Sequence, residues 1–528
     1  MPRERTKVIN RFWGGIVRDD KSKVIGAASN IEELDIFANA DFFQAEQIVS
    51  SYALPATSRG YAWAAGDDDT IYLYGDRTDT TAGTVRLFSV ATGGADNPGT
   101  LSTLFTSADT TNLATKVSDC KFFRTTESSN PTSLYYIQGA SATWYIGRYN
   151  IGAAAEQTWN GSAWAAGTAN ASSQLTGLGG SFDRPTMAVI FGDLYICHGR
   201  FIAKVAKDST FTLKAFTLPS EWEAVDIVAV GTVGLILARN KTRLSNESKG
   251  FWWDLTKTTG FEDSFSIPMG GPCWAFNHQE TIKILCAING SMKIFQLPGA
   301  YQGGVVIEIP GVGLTSVAAE TTTNPISMHK MVSTKDKILY FGLWKTDKTG
   351  IYALGKLDAD KPNALILSKR FDTSDYSLHK PMSVHIQGPN FYGAFDDNGT
   401  FEAAICKTNN SPSRSSSGTY ESIDIDFDSP FKDKTLIHLL VAIKALPASS
   451  TVTPSVATDY GTSYTAVKRA DASVLNTTNA VLGKFIAAAF NNKKAFKVKL
   501  VLASSGVNSP KVQEIALVAM EKDEIASV

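Results

Sequence analysis

Cysteine is scarce: Cys120, Cys197, Cys273, Cys286 and Cys406 are the only five in 528 residues. Their number is odd and no CxxC spacing occurs, so no disulfide framework is read from them. They read as small, mostly buried hydrophobes in a chain that folds in a reducing compartment. Charge is scarce as well. Asp, Glu, Lys and Arg make up 19 % of the chain, below the roughly 25 % of an average soluble domain. Few residues remain for the charged outer faces of helices, which shifts the expectation to strands and turns.

The net charge is −1, without the basic excess of a dedicated nucleic-acid binder. A local exception is the N-terminus, where Arg3, Arg5, Lys7 and Arg11 form either a basic patch or a solvated floppy end. MPRERTKVINRF lacks the apolar core of a secretory signal. The longest uncharged apolar run, Ile227 to Ala238, is too short for a bilayer and contains Gly231 and Gly234. It reads as a buried strand pair with a turn. G-x-S-x-G, H-E-x-x-H and the phosphate-cradling G-x-x-x-x-G-K-[ST] are all missing. His198, His278, His329, His379, His385 and His438 are scattered and read as structural.

What is present is a recurring unit. KILYFGLWKTDKTGIYALGKLD, from Lys337, is an apolar strand, a polar turn ending in Gly350 and a second apolar strand. Similar units start near Ile71, Leu134, Leu194, Leu235, Ile282 and Phe391, so that with Ile338 the steps run from 41 to 63 residues. That is near the roughly 40–50 residues of a four-stranded propeller blade. One blade has two apolar faces and buries them only between neighbours. The fold is therefore expected to be all-β. It is read as an irregular β-propeller of six to eight blades, about seven, over residues 49–406, rather than as stacked sandwiches. TWNGSAWAAG places Trp159 and Trp164 on either side of an Asn-Gly turn. That is a packed pair closing a hairpin, or else a sugar platform.

KTNNSPSRSSSGTY, read as a linker over 407–420, is Ser-rich. The apolar pattern restarts after it, and 421–528 is expected to be a β-sandwich. KTLIHLLVAIKAL within it is read as a strand, with a short helix as the alternative. In ESIDIDFDSPF, Asp424, Asp426 and Asp428 alternate with apolar residues. They form a solvent-facing strand edge or, as weak metal candidates, a Ca²⁺ site. Otherwise no metal, cofactor or catalytic residue is read. Asp67-Asp68-Asp69 is a charged turn, and Asp396-Asp397-Asn398-Gly399 a hairpin turn.

Residues 1–48 read as a separate arm. Its Phe12-Trp13-Gly14-Gly15 segment is exposed-looking, and NIEELDIFANADFF is either a short helix or an extended strand. Phe12 and Trp13 either staple the arm to its own propeller or dock on a neighbour.

This order of parts resembles that of tailed-bacteriophage virion structural proteins, in particular tail nozzle or hub proteins of short-tailed phages. The parts are an arm with an F-x-G-G-like turn, an irregular propeller, and a sandwich ending in KVKLVLASSGVNSPKVQEIALVAM. The resemblance implies a non-enzymatic homo-oligomeric ring, a hexamer, in the virion tail and assembled in the host cytoplasm. It would continue the DNA-ejection channel below portal-adaptor proteins, hold tail fibres or spikes, and pass phage DNA without binding it specifically. Phe12, Trp13, Gly14 and Gly15 would be its assembly arm. The alternatives are a receptor- or glycan-binding tail-tip propeller using Trp144, Trp159, Trp164, Trp252, Trp253 and Trp344, and a glycoside hydrolase with carboxylates at the propeller mouth.

Overall fold

A computed structural model of the chain describes residues 3–12, 15–16, 27–37, 42–45, 50–53, 58–67, 70–77, 86–90, 101–106, 116–128, 131–140, 143–167, 171–176, 185–241, 247–267, 273–278, 281–288, 291–313, 332–335, 338–343, 350–355, 364–369, 379–387, 390–397, 400–407, 414–487 and 490–522. Among them the regular structure is strand throughout, apart from one 3-10 turn at Ala171–Ser173. The all-β expectation holds.

Among the described residues, seven antiparallel units follow one another, within 58–106, 116–175, 186–217, 222–267, 273–313, 332–369 and 379–407. Each hairpin legible in the sequence supplies the second and third strands of one unit; Ile338–Leu343 and Gly350–Gly355 are those of the sixth. Middle strands are covered on both sides, so they are the apolar ones. The first strands of neighbouring units pack on each other from the sixth, through the seventh and first, round to the fifth. The fourth strands of the fifth and sixth units touch, and Gly15–Ile16 lies against both. The result is a β-propeller whose seventh and first units meet.

The seventh unit draws on the N-terminus. The seventh unit takes only three strands from its own stretch of chain, and its fourth is Ser50–Ala53. Ala53, Tyr52, Ser51 and Ser50 pair antiparallel with Glu402, Ala403, Ala404 and Ile405. The seventh sheet is thus completed by a strand made about 350 residues before its partner, as the two stretches of numbering show.

Polar side chains fasten the inner strands at bulges. In the second unit the ladder shifts between Val117 and Cys120, and Asp119 in this bulge accepts from the Met187 amide of the third unit at 2.8 Å. Ser118 donates to the Pro185 carbonyl beside it. Thr186 of the third unit donates to the Val225 carbonyl of the fourth at 2.8 Å. The fourth unit repeats the bulge between Ala224 and Asp226, where Asp226 accepts from the Ala275 amide of the fifth at 3.1 Å. Cys120 points back at the Ala62 carbonyl of the first unit, 3.7 Å away. Each staple satisfies a buried backbone group that faces no ladder partner.

The sandwich is built from both ends of the chain. One sheet is ordered Arg3–Ile9, Val512–Glu521, Lys434–Ile443, Leu482–Ile486, so the N-terminal strand lies beside the C-terminal one. The other runs from Ala27–Glu32 through Ser417–Ser422 and Phe496–Ala503 to Thr451–Thr458. Ala27–Glu32 also bridges to the sixth unit at Glu32 and Leu367, so the sandwich continues a propeller sheet. Between the sheets lie Leu436, Leu439, Val498, Leu500, Ile515 and Leu517, all buried.

Two boundaries change, and two open readings are decided. The segment 1–48 is not a separate arm, because its strands complete the sandwich and its continuation completes the propeller. NIEELDIFANADFF holds strands Ala27–Glu32, Leu34–Asp35 and Gln44–Ala45 in and around it, and no helix among the described residues. The end of the 407–420 linker is sandwich strand from Ser417, while 408–413 lies outside the described residues. KTLIHLLVAIKAL is the strand Lys434–Ile443.

Asp226→Ala leaves the buried Ala275 amide without an acceptor and is expected to cost about 1–3 kcal/mol. Asp226→Asn keeps an oxygen there and should cost less. Urea unfolding of both variants checks this, and equal losses would contradict the staple.

Candidate functional site

The assembly-arm residues part company in the structure. Phe12 is buried in this chain's own core, 4 % exposed. Its ring meets Phe43 edge-on at 4.6 Å and Tyr420 edge-on at 5.5 Å, and those two stack at 5.3 Å. Phe43 is itself tied by paired backbone hydrogen bonds to Val512 of the C-terminal strand. Phe12 therefore staples the arm at home, and its role in docking a neighbour is withdrawn. Edge-to-face rings at these distances add to the burial that already favours this seat. Gly15 pairs parallel with Ala27. Trp13 and Gly14 lie outside the described residues.

The basic N-terminus is a strand, not a floppy end. Arg5 pairs with Glu521 at 3.1 Å, and Lys432 approaches the same carboxylate at 2.6 Å. The Lys432 ammonium, with Arg5 behind it, holds the Glu521 carboxyl below its usual range. Lys434 is buried and donates to the Ser429, Lys432 and Lys494 carbonyls. Burial pushes its pKa down.

The three candidate metal carboxylates have separate occupations. Asp424 lies 3.9 Å from Lys497. Asp426 accepts from the Asp428 amide at 2.9 Å, closing a turn. Asp428 faces solvent near Lys7. The strand Ser417–Ser422 ends before all three, and Phe427 and Asp428 have positive φ, so no common strand face forms. Among the described residues no three His, Cys, Asp or Glu side chains are placed to hold a metal.

The aromatic candidates are core. Trp159 and Trp164 are register partners, edge-on at 5.7 Å, and both buried. Arg148 lies 5.1 Å from the Trp164 ring and grips Glu127 with two hydrogen bonds at 2.9 and 3.1 Å. It also donates to Tyr135 and Gln157. This buried guanidinium, wedged between aromatics, was not legible in the sequence. Its only trace is a lone Arg in an otherwise apolar strand, TWYIGRYN. Trp144, Trp252 and Trp253 are fully buried, and Trp344 lies outside the described residues. Asp67 pairs with Arg124 at 2.6 Å, while Asp68, Asp69, Asn398 and Gly399 lie outside the described residues. Of the histidines, His198 and His385 are enclosed, and burial brings each down to about 4.

One surface departs from the rest. On the first sandwich sheet, side chains alternate between the core and the outside. The outward set holds Val8, Leu440, Val518, Leu482, Ile486 and Met520, interleaved with Glu4, Thr6, His438, Lys484 and Glu514. Leu482 is 54 % exposed, Ile486 45 % and Val8 43 %. An antiparallel sheet with one solvated face usually carries polar residues there. Four strands about 4.8 Å apart and about seven residues long at about 3.4 Å rise give the whole face roughly 400 Å², shared between these apolar residues and the polar ones among them. Sequence reading missed it because its residues come from four distant stretches.

No family model matches the chain, and no curated protein matches its sequence. Among solved structures, it is similar to a chain of a mitotic checkpoint complex, at 9 % identity and TM-score 0.40, over 68 % of this chain and 94 % of that one. It is similar to Raptor from Chaetomium thermophilum at 8 % identity and TM-score 0.41, over 69 % of this chain and 29 % of that one. An exo-β-1,3-galactanase from Phanerochaete chrysosporium, with β-1,3-galactotriose, aligns at 10 % identity and TM-score 0.30, over 89 % and 100 %.

Two predictions follow from this geometry. Phe12→Ala opens a cavity in the shared core and should cost about 3–5 kcal/mol in urea unfolding. A loss near zero would return Phe12 to the surface. His198 and His385 are held neutral, with pKa lowered from 6.5 to about 4. Between those values the unfolded chain binds more protons than the folded one, so stability falls with acid. The urea midpoint should therefore drop from pH 6.5 to 4, and the drop should flatten in the double variant His198→Gln, His385→Gln.

Proposed function

We propose that the chain is a structural, non-catalytic subunit that assembles with copies of itself. On the resemblance of its order of parts, the assembly is the nozzle or hub ring of a short-tailed phage, a hexamer. In that setting its partners are portal-adaptor proteins and tail fibres or spikes. DNA passes through the ring without specific contacts, and the virion tail is its place of work.

The observation that carries the assembly reading is the set of exposed apolar residues on the outward face of the sandwich, Val8, Leu482, Ile486 and Met520. The whole face, roughly 400 Å², is about half of the ~800 Å² per partner of a standard interface. One such contact holds a pair weakly. In a closed ring each subunit is held by two neighbours, so a head-to-tail contact of this size gains from closure. The described titratable groups support the non-catalytic part, since Asp119, Asp226, Arg148, Lys434 and Glu521 all hold structure together. A glycan face built on the tryptophans gains no support from their burial.

The test is light scattering with electron-microscope class averages on the wild type and on the double variant Leu482→Lys, Ile486→Lys. Both sites are exposed, and exposed substitutions usually stay within about 0.5 kcal/mol in stability. The wild type is expected as rings and the variant as folded monomers. Rings in both would remove this face from the interface, and monomers in both would remove self-assembly.

A further inference from the structure

Two of the five cysteines stand directly opposite each other. In the fifth unit, Cys273 of the strand Cys273–His278 is the register partner of Cys286 of the strand Thr281–Ile288. On the other side of Cys286, its partner on Ser291–Leu297 is Lys293. In the register of the three strands the order is therefore Cys, Cys, Lys. Directly opposed residues in an antiparallel ladder have Cα atoms about 4.5 or 5.5 Å apart, depending on the hydrogen-bonding pattern. Both spacings fall inside the roughly 4.4–6.8 Å range of disulfides. The sequence hides this pairing, because the two residues are separated by a turn and fit no CxxC spacing.

We propose that Cys273 and Cys286 form a cross-strand dithiol that closes to a disulfide by exchange with a small-molecule disulfide. The thiolate is the form that attacks. The Cys286 thiolate attacks the small disulfide, forms a mixed disulfide and releases one half as a thiolate, which takes up a proton. The Cys273 thiolate then attacks the Cys286 sulfur and releases the second half in the same way. Two protein thiols are oxidised and one small disulfide is reduced to two thiols. The new bond ties the first strand of the fifth unit to its second, two residues from Ala275, where Asp226 holds the same strand to the fourth unit. The pair is reduced in a reducing compartment and closed outside it. This reading does not depend on the assembly described above.

The experiment treats the folded full-length chain with oxidised glutathione, blocks the remaining thiols with an alkylating agent and maps peptides by mass spectrometry. The expected result is one cross-linked species joining the peptides of Cys273 and Cys286. It should lack two titratable thiols and revert with reductant. Cys273→Ser and Cys286→Ser should each abolish the cross-link and leave the remaining partner as a glutathione adduct. Alkylation of both residues in the treated wild type, or separate adducts on each without a cross-link, would overturn the proposal.

Discussion

The structure depends on how its last sheet is completed. A four-stranded unit exposes two apolar faces and two edges, and neither is stable in water. Placing it between neighbours covers the faces, but the final unit of the ring is one strand short in its own stretch of chain. Ser50–Ala53 supplies that strand. The same N-terminal stretch has already given Arg3–Ile9 to one sandwich sheet and Ala27–Glu32 to the other. Propeller and sandwich are therefore joined through one strap, and Phe12, Phe43 and Tyr420 pin it where its strands diverge.

Within the ring the fastening changes from apolar to polar. The faces of the units bury aromatics and branched aliphatics, but their first strands bulge and leave amides without a ladder partner. Asp119 and Asp226 answer this in the second and fourth units, with Thr186 between them. A buried carboxylate accepting from a backbone amide is costly alone and specific when paired. Such staples fix which unit sits beside which, something that apolar contact cannot do.

Much of the fold was legible because middle strands are apolar on both faces. Each hairpin from Ile71 to Phe391 stands out for that reason, and each became the centre of a unit. The first and fourth strands were harder to read. They carry bulges and polar staples, as in KVSDCKFF and AVDIVAV, and so break the alternation. The strap was misread as an arm because its strands pair with residues about 350 to more than 500 positions away, beyond any local pattern. The alternating aspartates suggested a metal because period-2 spacing assumes a continuous strand, and the strand Ser417–Ser422 ends before the first of them. The outward apolar face of the sandwich was invisible for the opposite reason. Each of its strands looks ordinary, and only their assembly into one sheet shows the patch.

The most direct test of the strap is native-state hydrogen exchange on the full-length chain, read at the amides of Arg3–Ile9, Ser50–Ala53 and their partners Val512–Glu521 and Thr400–Lys407. The account predicts that each N-terminal strand is protected to the same degree as its partner, because each is part of that partner's sheet. Fast exchange throughout the N-terminal strands, with the propeller and sandwich still protected, would contradict it.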